Sequence, residues 1–257
     1  MQHLPVAIIL SGLDPTGGAG ILADIRAMTA AGVRIAPLIT ANTLQGKDID
    51  ATYIATDAGL VFRQLDLIYK LYSPKALKIG MLGSAEIATV IKDFLTETSL
   101  PTVLDPVMTA SSGGLLGDSV IKSAINDIAR YITLLTPNLD ELFWLTDDQA
   151  DSSDDIEQCI KILYQTGFQN VLVKGGHSSG HPRDFLFCDG LLKRTFTGKR
   201  CATVIRGTGC HLAAYAAGML ARNRTVETAA EKSYYYVQHM LLNYTLAGNG
   251  IIPADCP

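Results

Sequence analysis

The apolar run Val6-Ala7-Ile8-Ile9-Leu10 is followed by a glycine-rich turn, Ser11-Gly12-Leu13-Asp14-Pro15-Thr16-Gly17, and then by a helical pattern that begins Gly18-Ala19-Gly20-Ile21-Leu22-Ala23. A short apolar run rich in β-branched residues predicts a buried strand. No Lys or Arg precedes the run, so we expect a strand of the folded protein and not a signal peptide. A strand followed by a helix is the first half of a βαβ unit.

The same alternation of short apolar runs and helical patterns continues along the chain. The runs predicted as buried strands are Val6–Leu10, Ile35–Thr40, Ala76–Ile79, Thr102–Leu104, Thr133–Leu135 and Asn170–Val173. The segments predicted as helices are Gly20–Ala31, Ala58–Tyr72, Ala85–Glu97, Asp118–Tyr131, Asp155–Thr166, His211–Arg222 and Arg224–Tyr244. This order predicts an α/β fold of three layers (αβα), with a mostly parallel central sheet and helices on both faces.

Two further patterns refine this prediction. Asp184–Cys188 and Leu192–Phe196, joined around Asp189-Gly190, predict an antiparallel hairpin. The polar stretch from Thr146 to Asp155 is short and acidic, and we expect a loop there and not a domain linker. Residues 1–257 are therefore expected to form a single domain.

The composition excludes several classes of function. The 257 residues carry a formal net charge of -4 and are 48% hydrophobic, whereas proteins that bind nucleic acids usually present a basic surface. No apolar run approaches the ~20 residues that span a membrane. The five cysteines show no C-x-x-C spacing, which fits reduced thiols. We expect a cytoplasmic protein without nucleic-acid or membrane partners.

A second glycine-rich segment, Arg206-Gly207-Thr208-Gly209-Cys210, precedes the small residues of the predicted helix His211–Arg222. Glycines let backbone N–H groups converge, and a helix N-terminus adds the positive end of its dipole. The segment predicts a site for a phosphate or a developing anion, or alternatively an ordinary tight turn into a buried, Ala-rich helix with a packed Cys. At such a position we expect the thiolate form of Cys210 to be favoured.

Polar residues and glycines follow nearly every predicted strand. They are Asp14, Asn42 with Gln45, Gly80-Met81, Asp105, Thr136 with Asn138, and Lys174-Gly175-Gly176. The carboxyl ends of parallel strands meet at one edge of a sheet, which is where such folds bind ligands. Asn138 and Glu141, three apart at the start of a predicted helix, could cap that helix or share a face and hold a hydrated Mg²⁺. Asp105 could be a capping carboxylate or a second anchor for the cation, and Lys174 could be a solvated strand end or contact a nucleotide phosphate.

Three other interpretations are weaker. Gly18–Ala23 matches the dinucleotide-binding pattern, but the next strand lacks the acidic residue that holds a ribose. A P-loop is absent from the sequence. His177 and His181 lie four apart in a glycine-rich loop, which disfavours a metal-binding pair on a helix.

With these residues assembled, the chain resembles the hydroxymethylpyrimidine and phosphomethylpyrimidine kinases of thiamine synthesis, a branch of the ribokinase-like superfamily. Ordered blocks carry the resemblance: Ser11–Gly20, Ala23-Asp24, Lys78–Ser84, Val103–Met108, Leu135–Leu139 with Glu141, Val171–His177 and Gly207–Cys210. The resemblance implies an ATP- and Mg²⁺-dependent kinase that phosphorylates 4-amino-5-hydroxymethyl-2-methylpyrimidine and then its monophosphate. It also implies a homodimer.

The resemblance also implies roles for individual residues. Cys210 matches the base for the substrate hydroxyl, and Gly207 and Gly209 match the anion hole for the transferred phosphoryl group. The residues matched to the nucleotide are Lys174, Thr136, Asn138 and Thr208. Those matched to the pyrimidine are Gly12, Asp24, Gln45, Met81 and Val107, and those matched to Mg²⁺ are Asp105 and Glu141.

The sequence departs from the family pattern at two places. Arg206 stands where the family usually has His and keeps a positive charge near the phosphates. Gln45 matches the family's pyrimidine-contacting Gln in an ungapped alignment, whereas a gapped one matches Asn42-Thr43 and loses it. The alternatives are a pyridoxal or pyridoxine kinase of the same branch, and a non-catalytic sensor with this fold.

Overall fold

The computed structural model describes residues 4–46, 49–108, 119–147, 153–175, 181–198 and 206–243. Its strands form one nine-stranded sheet in the order β3-β2-β1-β4-β5-β6-β7-β8-β9. The strands are β1 (Val6–Leu13), β2 (Arg34–Gly46), β3 (Ile49–Ala55), β4 (Ala76–Ile79), β5 (Thr102–Leu104), β6 (Leu134–Leu135), β7 (Asn170–Gly175), β8 (Arg183–Cys188) and β9 (Leu191–Thr197).

In the described part of the chain, eight helices connect and flank these strands. They are α1 (Gly20–Ala30), α2 (Ala58–Tyr72), α3 (Ala85–Glu97), α4 (Ser119–Asp127), α5 (Leu139–Thr146), α6 (Ser153–Thr166), α7 (Thr208–Ala221) and α8 (Val226–Asn243). A separate 3-10 turn covers Ala129–Tyr131, so the helix predicted to reach Tyr131 ends earlier. The predicted outer bounds Asp118 and Tyr244 lie outside the described residues.

The centre of the sheet is parallel, from β2 through β1, β4, β5 and β6 to β7. Only β3, β8 and β9 pair antiparallel within the described residues. One apolar core packs helices α2, α3, α4, α5 and α6 on one face, and a second packs α1, α7 and α8 on the other. The three-layer α/β prediction is confirmed, and so is the hairpin, now β8 and β9.

In α2 and α3, whose predicted bounds both match the structure, a side-chain cap marks the start of the helix. Asp57 accepts a hydrogen bond from the Leu60 N–H at the start of α2, and Ser73 ends that helix in the left-handed conformation. Ser84 accepts from the Ile87 N–H at the start of α3. Such caps satisfy backbone groups that the helix itself leaves unpaired.

The prediction for the second strand is wrong at its carboxyl end. Asn42 and Gln45 do not follow the strand, because β2 continues to Gly46 and pairs antiparallel with β3. The register between β1 and β2 shifts between Ser11 and Gly12, and β2 extends past β1 only after Asn42, which pairs with Leu13. We call β3 and the 41–46 portion of β2 the β2–β3 arm.

The loop predicted from Thr146 to Asp155 is wrong at both ends, because α5 includes Thr146 and α6 begins at Ser153. Residues 148–152 of this segment lie outside the described residues.

Within the described residues, no helix is long and apolar enough to cross a membrane.

Candidate active site

The candidate site lies at the carboxyl edge of the parallel strands, where α7 begins. Asp105 directly follows β5, and its backbone N–H donates to the Ile79 carbonyl. Lys174 lies near the end of β7, and α7 starts at Thr208. The topology therefore brings together residues that are far apart in the sequence.

Lys174 holds two carboxylates at this edge. Its Nζ lies 2.9 Å from Asp105 Oδ1 and 3.6 Å from Glu141 Oε2. Burial disfavours the charge of Lys174, but the two carboxylates outweigh it and raise the Lys174 pKa. Burial would likewise raise the pKa of Asp105, yet Lys174 and Lys78 hold it below its usual range. Asp105 is therefore a carboxylate at neutral pH.

Glu141 is placed by the first turn of α5. Asn138 Oδ1 accepts from the Glu141 N–H at 2.8 Å, and Glu141 Oε2 accepts from the Asn138 N–H at 2.8 Å. This reciprocal capping box fixes the carboxylate beside Lys174. Burial raises the pKa of Glu141, and Lys174 offsets only part of that effect.

The N-terminus of α7 forms the candidate anion hole. Gly207 adopts φ 75°, and a Cβ there would collide with the Gly18 carbonyl. The Gly207 carbonyl lies 2.9 Å from both the backbone N and the ring Nδ1 of His211. Burial lowers the pKa of His211 to about 4, so the ring is neutral and its Nδ1–H donates to this carbonyl. Because a peptide's C=O and N–H point in opposite directions, this arrangement leaves the Thr208 N–H facing away from the helix.

The expectation that Cys210 is a thiolate is wrong. Burial of the thiol raises its pKa to about 12, with Asp105 adding to the shift and Lys78 offsetting only part of it. The thiol also hydrogen-bonds to Asp105 and stabilises the carboxylate there. Burial and the nearby carboxylate together outweigh the helix dipole, and Cys210 is protonated at neutral pH.

An apolar cluster adjoins the charged group and contains two of the residues matched to the pyrimidine, while a third lies against it. Met81 packs with Ala41, Ala51, Tyr53 and Val107. Gly12 lies against it, since a Cβ at Gly12 would lie 2.9 Å from the Met81 sulfur. Alternate residues of the β2–β3 arm therefore face this cluster.

Asp24, by contrast, is enclosed beneath the site. Its carboxylate Oδ2 lies 2.8 Å from Lys78 Nζ, and both side chains have no exposed surface. Burial disfavours the charge of Lys78, but Asp24 and Asp105 raise its pKa. Lys78 thus brings a buried positive charge close to Asp105 and Cys210.

Thr136 is also fully buried, and its hydroxyl lies 3.3 Å from the Leu104 carbonyl within the sheet. Thr208 is half-buried as the first residue of α7.

Gln45 lies on the β2–β3 arm, where its side chain contacts Arg206 and Thr43. Gly176 and His177 lie outside the described residues, whereas His181 follows that gap.

Sequence reasoning placed Asp14 at the ligand-binding edge without a specific role, and it assigned no individual role to Thr16 or Lys78. Asp14 is fully buried and caps the first glycine loop, accepting from the Thr16 N–H at 2.9 Å and the Ala19 N–H at 3.0 Å. The signal for Asp14 was an acid directly before Pro15 and the glycines. For Lys78 it was a lone Lys within a run predicted as a buried strand.

A glycine-rich helix N-terminus, a lysine and two carboxylates converge at the carboxyl edge of a ribokinase-like sheet, beside an apolar cluster. These features define a class, the small-molecule phosphotransferases. The family model described as phosphomethylpyrimidine kinase matches residues 14–255. The chain belongs to the phosphomethylpyrimidine kinase family.

Individual relatives agree with this membership. The hydroxymethylpyrimidine/phosphomethylpyrimidine kinase of Rhizobium meliloti (strain 1021) is 35% identical over 237 residues, covering 90% of this chain and 89% of the relative. The crystal structure of phosphomethylpyrimidine kinase from Clostridium difficile 630 is 28% identical with a TM-score of 0.78, covering 91% of this chain and 97% of that one.

A pyridoxal kinase shares the fold as well. The structure of pyridoxal kinase from Staphylococcus aureus in complex with AMP-PCP and pyridoxal has a TM-score of 0.85 at 23% identity. It covers 96% of this chain and 93% of that chain. At this identity, the likeness establishes the common architecture.

Proposed function

We propose that this protein transfers a phosphoryl group from ATP to the hydroxymethyl group of 4-amino-5-hydroxymethyl-2-methylpyrimidine, and then phosphorylates the monophosphate to the diphosphate. One observation carries the proposal. A Cβ at Gly209 would lie 2.9 Å from Lys174 Nζ and 3.8 Å from Asp105 Oδ1, so the helix N-terminus, the cation and the carboxylate converge on one point. Family membership supplies the substrate class.

Lys174 and the first turn of α7 are the groups we assign to the phosphates. Phosphoryl transfer depends on positioning and charge neutralisation more than on covalent chemistry with the protein. Lys174 supplies a buried point charge, and the N–H groups of Thr208 and Gly209 supply oriented donors. ATP as donor is supported by the AMP-PCP complex of the staphylococcal pyridoxal kinase.

Asp105 and Glu141 fit a Mg²⁺ ion. The described residues contain no cluster of three or more His, Cys, Asp or Glu side chains that could cage a metal. Mg²⁺ commonly uses one or two carboxylates together with water and substrate phosphates, and this pair provides the two carboxylates. When bound, the ion neutralises charge on the phosphates.

The hydroxyl proton of the substrate needs an acceptor. Cys210 is already protonated, so we assign it a relay. Its sulfur takes the substrate proton as its own proton passes to the Asp105 carboxylate. The substrate oxygen then bonds to the γ-phosphorus, and the bond to the departing ADP breaks. Such proton transfer typically contributes 10²–10⁴-fold to a rate.

We assign the pyrimidine ring to the apolar cluster of Gly12, Met81, Val107 and Tyr53, with Gln45 above it on the β2–β3 arm. Asp24 acts from below through its pair with Lys78.

We assign Asn138 and Thr136 to the nucleotide side, where Asn138 fixes Glu141 and Thr136 supports the strand end.

The reaction is expected in the cytoplasm, where ATP is supplied, and residues 1–257 are expected to act as one domain.

A homodimer is the second part of the proposal. The outer face of the β2–β3 arm exposes Leu44 by 61% and Ile54 by 78%. β3 is also an edge strand of the sheet. Exposed apolar side chains on an edge strand are suited to pairing with another chain.

The test of substrate choice measures kcat/KM for the hydroxymethylpyrimidine and for pyridoxal in parallel, with ATP and Mg²⁺. We expect the pyrimidine to be preferred by at least about 100-fold, as expected when buried polar groups match only one substrate. Lys174→Met is the control for contaminating kinases. A preference for pyridoxal would assign the chain to the alternative substrate, and no turnover of either would favour a sensor.

A further inference from the structure

Arg206 connects three segments that are distant in the sequence. Its Nη2 lies 3.0 Å from Gln45 Oε1 on the β2–β3 arm and 3.5 Å from Asp14 Oδ2 after β1. Its Nη1 lies 3.4 Å from Thr16 Oγ1 in the first glycine loop. The side chain is only 20% exposed and directly precedes the candidate anion hole.

The contact with Gln45 fixes which way its amide faces. A guanidinium only donates hydrogen bonds, so the atom of Gln45 that meets Arg206 must be the oxygen. The nitrogen Nε2 then donates to Thr43 Oγ1 at 2.9 Å. The Thr43 hydroxyl in turn donates to the Leu13 carbonyl at 2.9 Å. Each hydrogen bond in the series from Arg206 through Gln45 and Thr43 to Leu13 therefore has only one possible donor.

These bonds leave part of the Gln45 amide available to a ligand. An amide oxygen accepts two hydrogen bonds and an amide nitrogen donates two, and the contacts with Arg206 and Thr43 use one of each. An amide that offers one acceptor and one donor complements a ring edge that carries an amino group next to a ring nitrogen, which is the edge of an aminopyrimidine.

We propose that Arg206 is the positioning residue that sets substrate specificity, by holding the Gln45 amide in the orientation that recognises an aminopyrimidine edge. The inference rests on the proposed function for its substrate and on the described contacts for its geometry. Pyridoxal has no amino group beside its ring nitrogen and gains less from this orientation.

The charge of Arg206 is already matched within the protein. Asp14 lies against it and is itself fixed by Thr16 and Ala19. An arginine paired in this way holds a rigid position and offers less net charge to a phosphate. Loss of Arg206 should therefore change pyrimidine binding more than ATP binding.

The test uses Arg206→Met, Arg206→Lys, Gln45→Ala and the double variant Arg206→Met/Gln45→Ala, with Arg194→Met as control. Arg194 lies on β9, where it pairs with Glu231 away from the site. We expect Arg206→Met to raise KM for the pyrimidine about tenfold, since one oriented hydrogen bond is lost. We expect kcat and KM for ATP to stay within about twofold, and Arg206→Lys to lose less than Arg206→Met.

The double variant separates positioning from an independent role. If Arg206 acts through Gln45, the double variant should be no worse than Gln45→Ala within about twofold. The inference would be overturned if the KM effects of the two single variants multiply in the double variant. It would also be overturned if KM for the pyrimidine is unchanged in Arg206→Met, or if the loss is confined to kcat or to KM for ATP. Should Arg206→Met fail to fold, Arg206→Lys and its double with Gln45→Ala carry the same comparison.

An activity-independent measurement distinguishes this inference from the proposed function. The side-chain NH₂ signals of Gln45, assigned by their loss in Gln45→Ala, should shift in Arg206→Met and stay unchanged in Arg194→Met. If wild-type protein turns over no pyrimidine, the proposed function fails, and these signals still decide the positioning. Unshifted signals in Arg206→Met would refute it.

Discussion

Protonation governs what Cys210 can do. A thiol whose pKa is about 12 is almost entirely protonated at neutral pH, and its hydrogen bond to Asp105 opposes ionisation further. The relay proposed above uses that bond, because the carboxylate can receive the thiol proton as the sulfur receives another. Asp105 in turn stays ionised because Lys174 and Lys78 lie close to it.

Replacing the thiol tests the relay. Cys210→Ala should lower kcat by about 100-fold or more, since a proton acceptor in the transition state contributes on that order. KM for ATP should change little, because the phosphates are assigned to Lys174 and the backbone of α7. Steady-state kinetics at saturating ATP would measure both values. Near-normal kcat would remove Cys210 from the reaction and leave Asp105 as the proton acceptor.

At the scale of elements, the N-terminus of α7 depends on close approach of two glycine-rich turns. Gly207 contacts Gly18 where the backbone is left-handed, which a Cβ would oppose both sterically and conformationally. Gly209 instead faces the flexible end of Lys174. Gly207 is therefore needed for the backbone to fold, whereas Gly209 leaves room for the end of the Lys174 side chain.

The corresponding alanine variants should separate stability from activity. Gly207→Ala should destabilise the protein by about 2 kcal/mol or more and lower kcat, because strain and a backbone clash combine. Gly209→Ala should unfold near the wild-type temperature yet lose activity, since only Lys174 must move. Thermal unfolding and kinetics on both variants measure this. Equal stability of the two variants would contradict the assignment.

β8 carries a buried carboxyl group next to the end of β7. Asp184 Oδ1 accepts from the Gly175 N–H at 3.1 Å, and burial raises the pKa of Asp184 to about 6. Between about pH 4 and 6 the native state holds this proton while the unfolded chain has lost it. The free energy of unfolding from this group therefore falls as pH rises, by up to about 3 kcal/mol in total.

Asp184→Asn tests this linkage because the amide keeps the acceptor oxygen and cannot ionise. The stability of the variant relative to wild type should increase by about 2–3 kcal/mol between pH 4 and pH 7. Urea unfolding at the two pH values gives the difference. A constant difference across this range would show that the pKa of Asp184 is not raised.

At the scale of the whole molecule, the exposed face of the β2–β3 arm points to association. Asn42 pairs with Ile54 and Leu44 with Thr52, so these side chains share one face of the arm while alternate ones, such as Tyr53, face the apolar cluster. One arm can thus serve the substrate on one face and a second subunit on the other.

Light scattering during size-exclusion chromatography tests the dimer. Wild-type protein should elute at twice the mass of the 257-residue chain, and Ile54→Asp should shift it toward the monomer, since a buried unpaired charge is costly. Leu191→Asp, at an equally exposed apolar residue on β9, is the matched control and should leave the mass unchanged. A monomeric wild type would refute the dimer.

The sequence predicted the helices and parallel strands well where local signals were strong. The predicted bounds of α2 and α3 match the structure because Asp57 and Ser84 cap these helices. The predicted bounds of β4 and β5 match because each strand is a short run with only one polar residue. β3 was missed because its partner, the 41–46 portion of β2, is largely polar and was predicted to lie beyond the strand end. The state of Cys210 was missed because burial and Asp105, which depend on the tertiary structure, override the local helix terminus.

The most direct test of the central claim is a mass-resolved time course with purified protein, ATP, Mg²⁺ and 4-amino-5-hydroxymethyl-2-methylpyrimidine. We predict that the monophosphate appears first and is then converted to the diphosphate, and that Lys174→Met abolishes both steps together because one site performs them. Absence of any phosphorylated pyrimidine from the wild-type protein would contradict the account.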